Sequence, residues 1–268
     1  MNPLFVLFLT LLSFAWQGCR HVPSGTMKSD LFYTSPPSPR QQGDLYLPEG
    51  PGPHPIAIVI HGGGWSGRDR SDMNDISRRL AANGIAAFNI NYRLAPEHRF
   101  PAQLEDVFSA MEWITDQATS LNLNINRMYT VGYSAGAHLS LLAAAEGRPG
   151  LPDIKGVIAG GAPTDLTLYP NSPYVQKLMG ASFENDPEAF RAASPLHQVG
   201  PTHPPVFLYH GSWDKIVAYK NSTLLVEALL EAGVKVELHT RHLEGHILTY
   251  FRESPSIKRG IQFLESLE

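Results

Sequence analysis

An α/β domain with a mostly parallel central sheet and helices on both faces is the architecture this sequence predicts, and three observations carry it. Short aliphatic runs recur at residues 56–60, 85–90, 128–131, 154–159, 206–209 and 234–239. Continuous apolarity, rather than strict alternation, marks strands buried on both faces. Between the runs lie segments with apolar residues at every third or fourth position, the spacing of a helix with one buried face. The length of 268 residues, 43% of them hydrophobic and 17% charged, suits one large domain with a sizeable core and argues against extensive disorder.

The chain opens differently. Residues 4–16 form an uncharged, mostly apolar run, too short to span a bilayer comfortably, with Gly18, Cys19 and Arg20 following at once. The run reads as the apolar part of an export signal. Cys19, the single cysteine, stands where a bacterial lipoprotein signal carries its lipidated residue. Residues 1–19 are therefore expected to be a signal of lipoprotein type. A plain export signal, or an uncleaved membrane or core helix with Cys19 as a small buried residue, are the other readings. The protein is expected to be exported and membrane-anchored only through lipid at Cys19, and otherwise periplasmic or secreted. Residues 20–40, rich in Ser, Pro and Thr, predict a linker or loosely held lead-in, and residues 41–268 the folded domain.

Within the domain, Pro55 and Gly62 bracket the first aliphatic run. Leu104, Val107, Phe108, Met111 and Ile114 define a helix face after Pro101, a residue suited to a first helical turn. An Ala/Leu-rich stretch at 137–145 predicts a second helix. Residues 222–230 predict another, closed by Gly233. Residues 165–199 break the rhythm with Pro, Asn and Ser and one short helix at 187–193. They read as an insertion over the site rather than a second domain.

Composition excludes several functions. One cysteine cannot build a disulfide framework, a structural zinc site or an iron–sulfur cluster. With 21 Lys and Arg against 25 Asp and Glu, the net charge of −4 offers no basic footprint for nucleic acid.

The chemistry is concentrated in four segments. Gly132-Tyr133-Ser134-Ala135-Gly136 lies between a strand and a helix, where a sharp turn relieved by glycines lifts a serine hydroxyl clear of the sheet. Such a hydroxyl needs a base to take its proton and donors to stabilise the oxyanion it creates. His61-Gly62-Gly63-Gly64-Trp65 follows the first strand, and its backbone can approach a ligand oxygen closely. Gly63 and Gly64 are the candidate oxyanion donors together with Ala135. Asp214 follows the strand at 206–209, and His246 follows the strand at 234–239. Loops at strand C-termini are where open α/β sheets place their sites.

Other residues compete for these roles. Asp165 is an alternative acid but also a good turn or capping residue. Glu244 lies too close to His246 in sequence to orient its ring well. His138 is four residues past Ser134 on a helix face and reads as a packing residue. His239, His242 and His246 have a spacing compatible with a metal, but a glycine break and no nearby cysteine argue against it, and no metal or other cofactor is expected. Trp65 and Tyr133 are candidate substrate contacts, although aromatics at strand ends also serve plain packing. Arg93, Glu97 and His98 read as loop scaffold.

Taken together, HGGGW at 61–65, NYRLAPEHRFPA at 91–102, GYSAGAHL at 132–139, HGSWDKIV at 210–217 and EGHI at 244–247 resemble α/β-hydrolase esterases of the hormone-sensitive-lipase-like and bacterial feruloyl-esterase-like groups. The chain order Ser134, Asp214, His246 is that of α/β-hydrolases. The resemblance, which runs from about Leu45 to the C-terminus, implies an α/β-hydrolase fold with Ser134 as nucleophile, His246 as base and Asp214 as its orienting acid. It implies a serine esterase acting on small or sugar-linked carboxylic esters. No N-terminal helical cap is evident, so the cap is expected to be minimal and bulky triglycerides poor substrates. Kynurenine formamidases share the histidine–glycine motif but usually carry an aromatic residue within it, where Gly64 stands here. Amide hydrolysis by an arylformamidase or peptidase, and a non-catalytic ligand-binding surface lipoprotein, are the alternative functions. The expected partner is a small-molecule ester, and the oligomeric state is not legible.

Overall fold

The computed structural model describes residues 25–267, so the expectations for residues 1–19, including Cys19, lie outside the described residues. Among the described residues, eight strands form one sheet: β1 (Met27–Phe32), β2 (Gln42–Tyr46), β3 (His54–Ile60), β4 (Ala86–Ile90), β5 (Leu123–Tyr133), β6 (Ile154–Gly160), β7 (Val206–Gly211) and β8 (Val236–Arg241). Their order is β1-β2-β4-β3-β5-β6-β7-β8. β2 runs antiparallel to both β1 and β4, whereas every pairing from β4 through β8 is parallel. This is the doubly wound, mostly parallel sheet that the sequence predicts.

Both faces are buried, which is why the strands read as unbroken apolar runs. Ile56, Ile58 and Ile60 of β3 face one side, against Leu104, Val107 and Phe108 of α2 (Ala102–Gln117) and Leu139 and Leu142 of α3 (Ala135–Glu146). Ala57 and Val59 face the other, where Ile76 and Leu80 lie in the helix Asn74–Ala82 and Ile257, Ile261 and Leu264 in the helix Ser254–Glu265. Burial of one fully enclosed Ile or Leu contributes about 1.5–3 kcal/mol relative to exposure.

β1 departs from the expected linker at 20–40. The strand is almost wholly exposed, so no apolar alternation marks it. Polar contacts tie it down instead. The Asp30 amide donates to Asp44 Oδ1 (2.9 Å), and Arg70 pairs with both Asp30 and Asp44. An edge strand held by backbone pairing and charge leaves little hydrophobic signature.

Residues 165–199 lie between β6 and β7. They carry two short helices, Pro173–Met179 and Pro187–Ala192, and two single 3-10 turns at Leu166–Leu168 and Pro195–Gln198. This is the insertion read from the sequence, with one helix more than expected.

Register decides where the site forms. Ile60 pairs with Gly132, Tyr133 with Gly160, Gly160 with Tyr209, and Gly211 with Arg241. The C-terminal ends of β3, β5, β7 and β8 therefore stand in one row, and the segments carrying His61, Ser134, Asp214 and His246 emerge from that row.

Candidate active site

Ser134 sits between β5 and α3 with φ 54° and ψ −120°, a conformation an L-residue adopts only under compulsion. The turn is tight on both sides. A Cβ on Gly132 would lie 2.3 Å from the Gly136 carbonyl carbon, and one on Gly136 would lie 2.0 Å from Ile60 O. Only glycine fits either place. The Ser134 amide donates to Gly160 O (2.7 Å), and Ser134 O accepts from the His138 amide (3.0 Å), which anchors the turn to sheet and helix.

The hydroxyl meets an imidazole. Ser134 Oγ lies 3.0 Å from His246 Nε2, and His246 Nδ1 lies 2.6 Å from Asp214 Oδ2. A carboxylate only accepts, so Nδ1 carries the proton and Nε2 presents a lone pair to Oγ. His246 opens the helix His246–Phe251 directly after Gly245, and its carbonyl accepts from the Tyr133 hydroxyl. Asp214 Oδ1 accepts from the amides of Ile216 (2.9 Å) and Val217 (2.8 Å). Burial opposes ionisation of Asp214, but hydrogen bonds from His210, His246 and the Val217 amide outweigh it and hold the carboxyl well below the usual range. Asp214 is a carboxylate throughout the working pH range.

The glycine loop lies against the serine. A Cβ on Gly62 would sit 3.3 Å from Ser134 Cβ. Gly63 and Gly64 both have positive φ, 106° and 58°. His61 supports the loop from beneath: its ring stacks on Tyr92 at 4.3 Å, its Nδ1 donates to Gly62 O (2.6 Å), and its carbonyl accepts from the Tyr92 hydroxyl (3.0 Å). Burial pushes the His61 imidazole down to about 4, so it stays neutral and acts as scaffold. Ala135 is the first residue of α3, and its N–H belongs to the first turn, which has no intrahelical partner.

Trp65 and Tyr133 line the cavity over Ser134, yet their polar atoms turn inward. The Trp65 indole N–H donates to His138 Nδ1 (3.3 Å), and His138 Nε2 donates to Ala193 O (2.7 Å). Tyr133 gives its hydroxyl to the His246 carbonyl. Each therefore offers a ligand only ring surface. His138 is the packing residue expected from its spacing, and it ties the glycine loop to the insertion.

Asp165 stands apart from the histidine at 246. Its Oδ1 accepts from the Thr167 amide (3.0 Å) and hydroxyl (2.6 Å), which makes it the cap of a 3-10 turn. Glu244 pairs with Arg241 (2.8 Å). His239 Nδ1 bonds Ser256 Oγ (3.1 Å), and Arg93 pairs with the buried Asp106 (2.7 Å) as loop scaffold.

The cavity over Ser134 measures about 500 Å³. Residues 62–72 bring polar groups to it, notably Ser66, Arg68 and Asp72, whereas Pro163, Val175 and Val217 are apolar. The insertion contributes Tyr169 and Tyr174, and the Tyr174 ring lies so close to Gly64 that a Cβ there would come within 2.5 Å of it. The sequence points to the insertion as a wall. It does not point to Tyr250, Arg68 or Asp72, which arrive from unrelated segments and carry no motif.

A buried carboxyl, Glu253, lies near Tyr133, Tyr209 and Tyr250. Glu253 Oε2 has no hydrogen-bond partner, and burial raises its carboxyl to about 8. Because the folded value exceeds the unfolded one, its stabilising effect is complete below the unfolded value of about 4.3 and lost as pH rises through about 8. Thermal unfolding of the parent protein is expected to move to lower temperature as pH rises from the unfolded value to about 8 and to level off above that, and Glu253→Gln to flatten the decline. A parallel decline in the variant would contradict the assignment.

Comparison with known proteins places the family and the fold. The BD-FAE family model matches residues 44–229. Esterase LipC of Mycobacterium tuberculosis is 29% identical over 197 residues, 66% of this chain and 48% of that protein. The chain spans about half the length of such curated relatives. Among solved structures, a truncated carbohydrate esterase from gut microbiota superposes with TM-score 0.84 at 23% identity, covering 92% of this chain and 98% of the other. An acetyl ester-xyloside bifunctional hydrolase from Caldicellulosiruptor lactoaceticus superposes with TM-score 0.74 at 26% identity, covering 92% and 96%. The fold is that of α/β-hydrolase esterases.

Proposed function

The chain belongs to the BD-FAE family, and from that premise we propose that it is a serine esterase cleaving small or sugar-linked carboxylic esters through an acyl-enzyme. One observation carries the reading: the unbroken line from Ser134 Oγ through His246 to Asp214, at 3.0 and 2.6 Å, under an open cavity.

Ser134 Oγ attacks the ester carbonyl while His246 Nε2 takes its proton. The oxyanion of the tetrahedral intermediate sits on the amides of Gly63, Gly64 and Ala135. Collapse expels the alkoxide, which leaves as the alcohol with the proton held by His246. Water, deprotonated by the same Nε2, then attacks the acyl-enzyme, and the acid departs as Ser134 regains its proton. Asp214 fixes the tautomer and stabilises the imidazolium formed twice per cycle. The glycine loop contributes without rearranging, and each such donor is typically worth on the order of 10²–10³ in turnover.

The mixed lining supports the substrate class. Ser66, Arg68 and Asp72 can hydrogen-bond hydroxyls, and the half-exposed ring of Tyr174 offers the flat surface on which a sugar stacks. The likeness to a carbohydrate esterase and to an acetyl ester-xyloside hydrolase agrees with this. Among the described residues only the 165–199 insertion covers the sheet end like a cap, a small surface that offers long triglycerides few contacts.

The test is a substrate panel of acetyl, butyryl, longer acyl and feruloyl esters, acetylated sugars, formylkynurenine and a peptide. The esters are expected to turn over at least ~10²-fold faster than the amides, a gap of about 2.7 kcal/mol in barrier. Faster formamide or peptide cleavage would replace the reading with amide hydrolysis, and tight binding without turnover would replace it with a ligand-binding module.

A further inference from the structure

His210 is the last but one residue of β7, fully buried, and four residues before Asp214. Its Nε2 lies 2.9 Å from Val217 O and 3.2 Å from Asp214 Oδ2, and its Nδ1 lies 2.7 Å from Ser222 Oγ. A backbone carbonyl can only accept, so Nε2 carries the proton. Nδ1 then accepts from the Ser222 hydroxyl, which holds that tautomer in place. The Nε2–H donates to Val217 O and makes a second, longer contact with the Asp214 oxygen that faces His246.

The consequence for Asp214 is saturation. Its Oδ1 accepts from two backbone amides, and its Oδ2 accepts from His246 Nδ1 and His210 Nε2. Two backbone amides and two imidazole N–H groups thus surround one carboxylate, which accepts at most about four donors. With Oδ1 held by the loop and Oδ2 by a rigid buried ring, rotation of the carboxylate away from His246 would break several bonds at once.

We propose that His210 is a positioning residue that locks Asp214 Oδ2 toward His246, so that Ser222, His210, Asp214, His246 and Ser134 form one continuous hydrogen-bonded chain. The proposal rests on the esterase reading above.

Two variants of the full-length protein test it against a preferred ester. His210→Leu removes the donor and is expected to lower kcat roughly ten- to hundredfold, the scale of one hydrogen bond to a charged group, with KM within about twofold. Fluorophosphonate end-point titration measures the share of folded sites and is expected to stay near completion. His210→Gln keeps an N–H donor and is expected to recover most of the lost kcat. The downfield proton resonance of the His246–Asp214 hydrogen bond is expected to shift in His210→Leu and to return toward its parental position in His210→Gln.

Unchanged kcat in His210→Leu, or equal losses in both variants with an unmoved proton resonance, would overturn the proposal. If His210→Leu does not fold, Ser222→Ala replaces it. Loss of that hydroxyl frees the His210 tautomer, so a fall in kcat of about threefold at constant KM is expected, and no fall would overturn the proposal. Failure of the underlying reading looks different: Ser134→Ala would then hydrolyse the ester at the parental rate whatever stands at 210.

Discussion

Ser134→Ala is expected to abolish ester hydrolysis, with a loss on the order of 10⁶-fold in kcat and little change in the unfolding temperature. The two halves of this result have separate causes. On the proposed mechanism the reacting atom is gone, so no acyl-enzyme forms. The fold does not depend on the hydroxyl. The unfavourable φ of 54° burdens Ala as it burdens Ser, and the contacts that impose it come from the Ser134 amide, the Gly160 carbonyl and the glycines at 132 and 136. Strain of this kind persists at functional positions because the surroundings over-determine it. Initial rates beside circular-dichroism melting separate the two effects.

Asp214→Asn is expected to lower kcat on the order of 10⁴-fold while leaving the backbone in place. The argument turns on which oxygen faces which partner. Oδ1 accepts from the Ile216 and Val217 amides, so the Asn carbonyl must take that side. Its amide N–H₂ is then forced to point at His246 Nδ1. A donor there selects the ring tautomer with its proton on Nε2, and that nitrogen can no longer accept from Ser134. The same N–H₂ meets the Nε2–H of His210, a second donor facing a donor. Asp165→Asn serves as the contrast. Asn and Asp cap helical turns about equally well, so activity is expected to stay within about twofold of the parent. The reverse ranking, measured on the same ester, would move the acid to position 165.

How much of this was legible depends on what each element uses to hold itself. Five of the parallel strands, β3 to β7, are visible because both faces are buried, and the run from Ile56 to Ile60 cannot be satisfied any other way, whereas β8 offers only Val236 and Leu238 between polar, part-exposed residues. β1 is invisible for the opposite reason: Asp30, Asp44 and Arg70 hold it by charge and backbone pairing. The helix Ser254–Glu265 did carry a signal, with Ile257, Ile261 and Leu264 at helical spacing after Pro255. Ser134, Asp214 and His246 stand out because each follows a strand in a short glycine-bearing motif, and around Ser134 and Asp214 the backbone leaves no room for a Cβ on Gly132, Gly136 or Gly211. His210 stood in the quoted HGSWDKIV motif, yet its role needs the coordinates, since the decisive contacts to Ser222 and Val217 depend on how the loop after β7 folds back. The cavity wall is least legible of all. Arg68, Asp72 and Tyr250 meet there through tertiary structure alone.

The central claim is that Ser134 is the covalent centre of an ester-cleaving site. It is tested most directly by labelling the folded protein with a fluorophosphonate and locating the adduct by peptide mass spectrometry. A single adduct on Ser134, formed in proportion to the loss of esterase activity and absent from Ser134→Ala, is the expected result. An adduct on another residue, or full activity in protein whose Ser134 is completely modified, would contradict it.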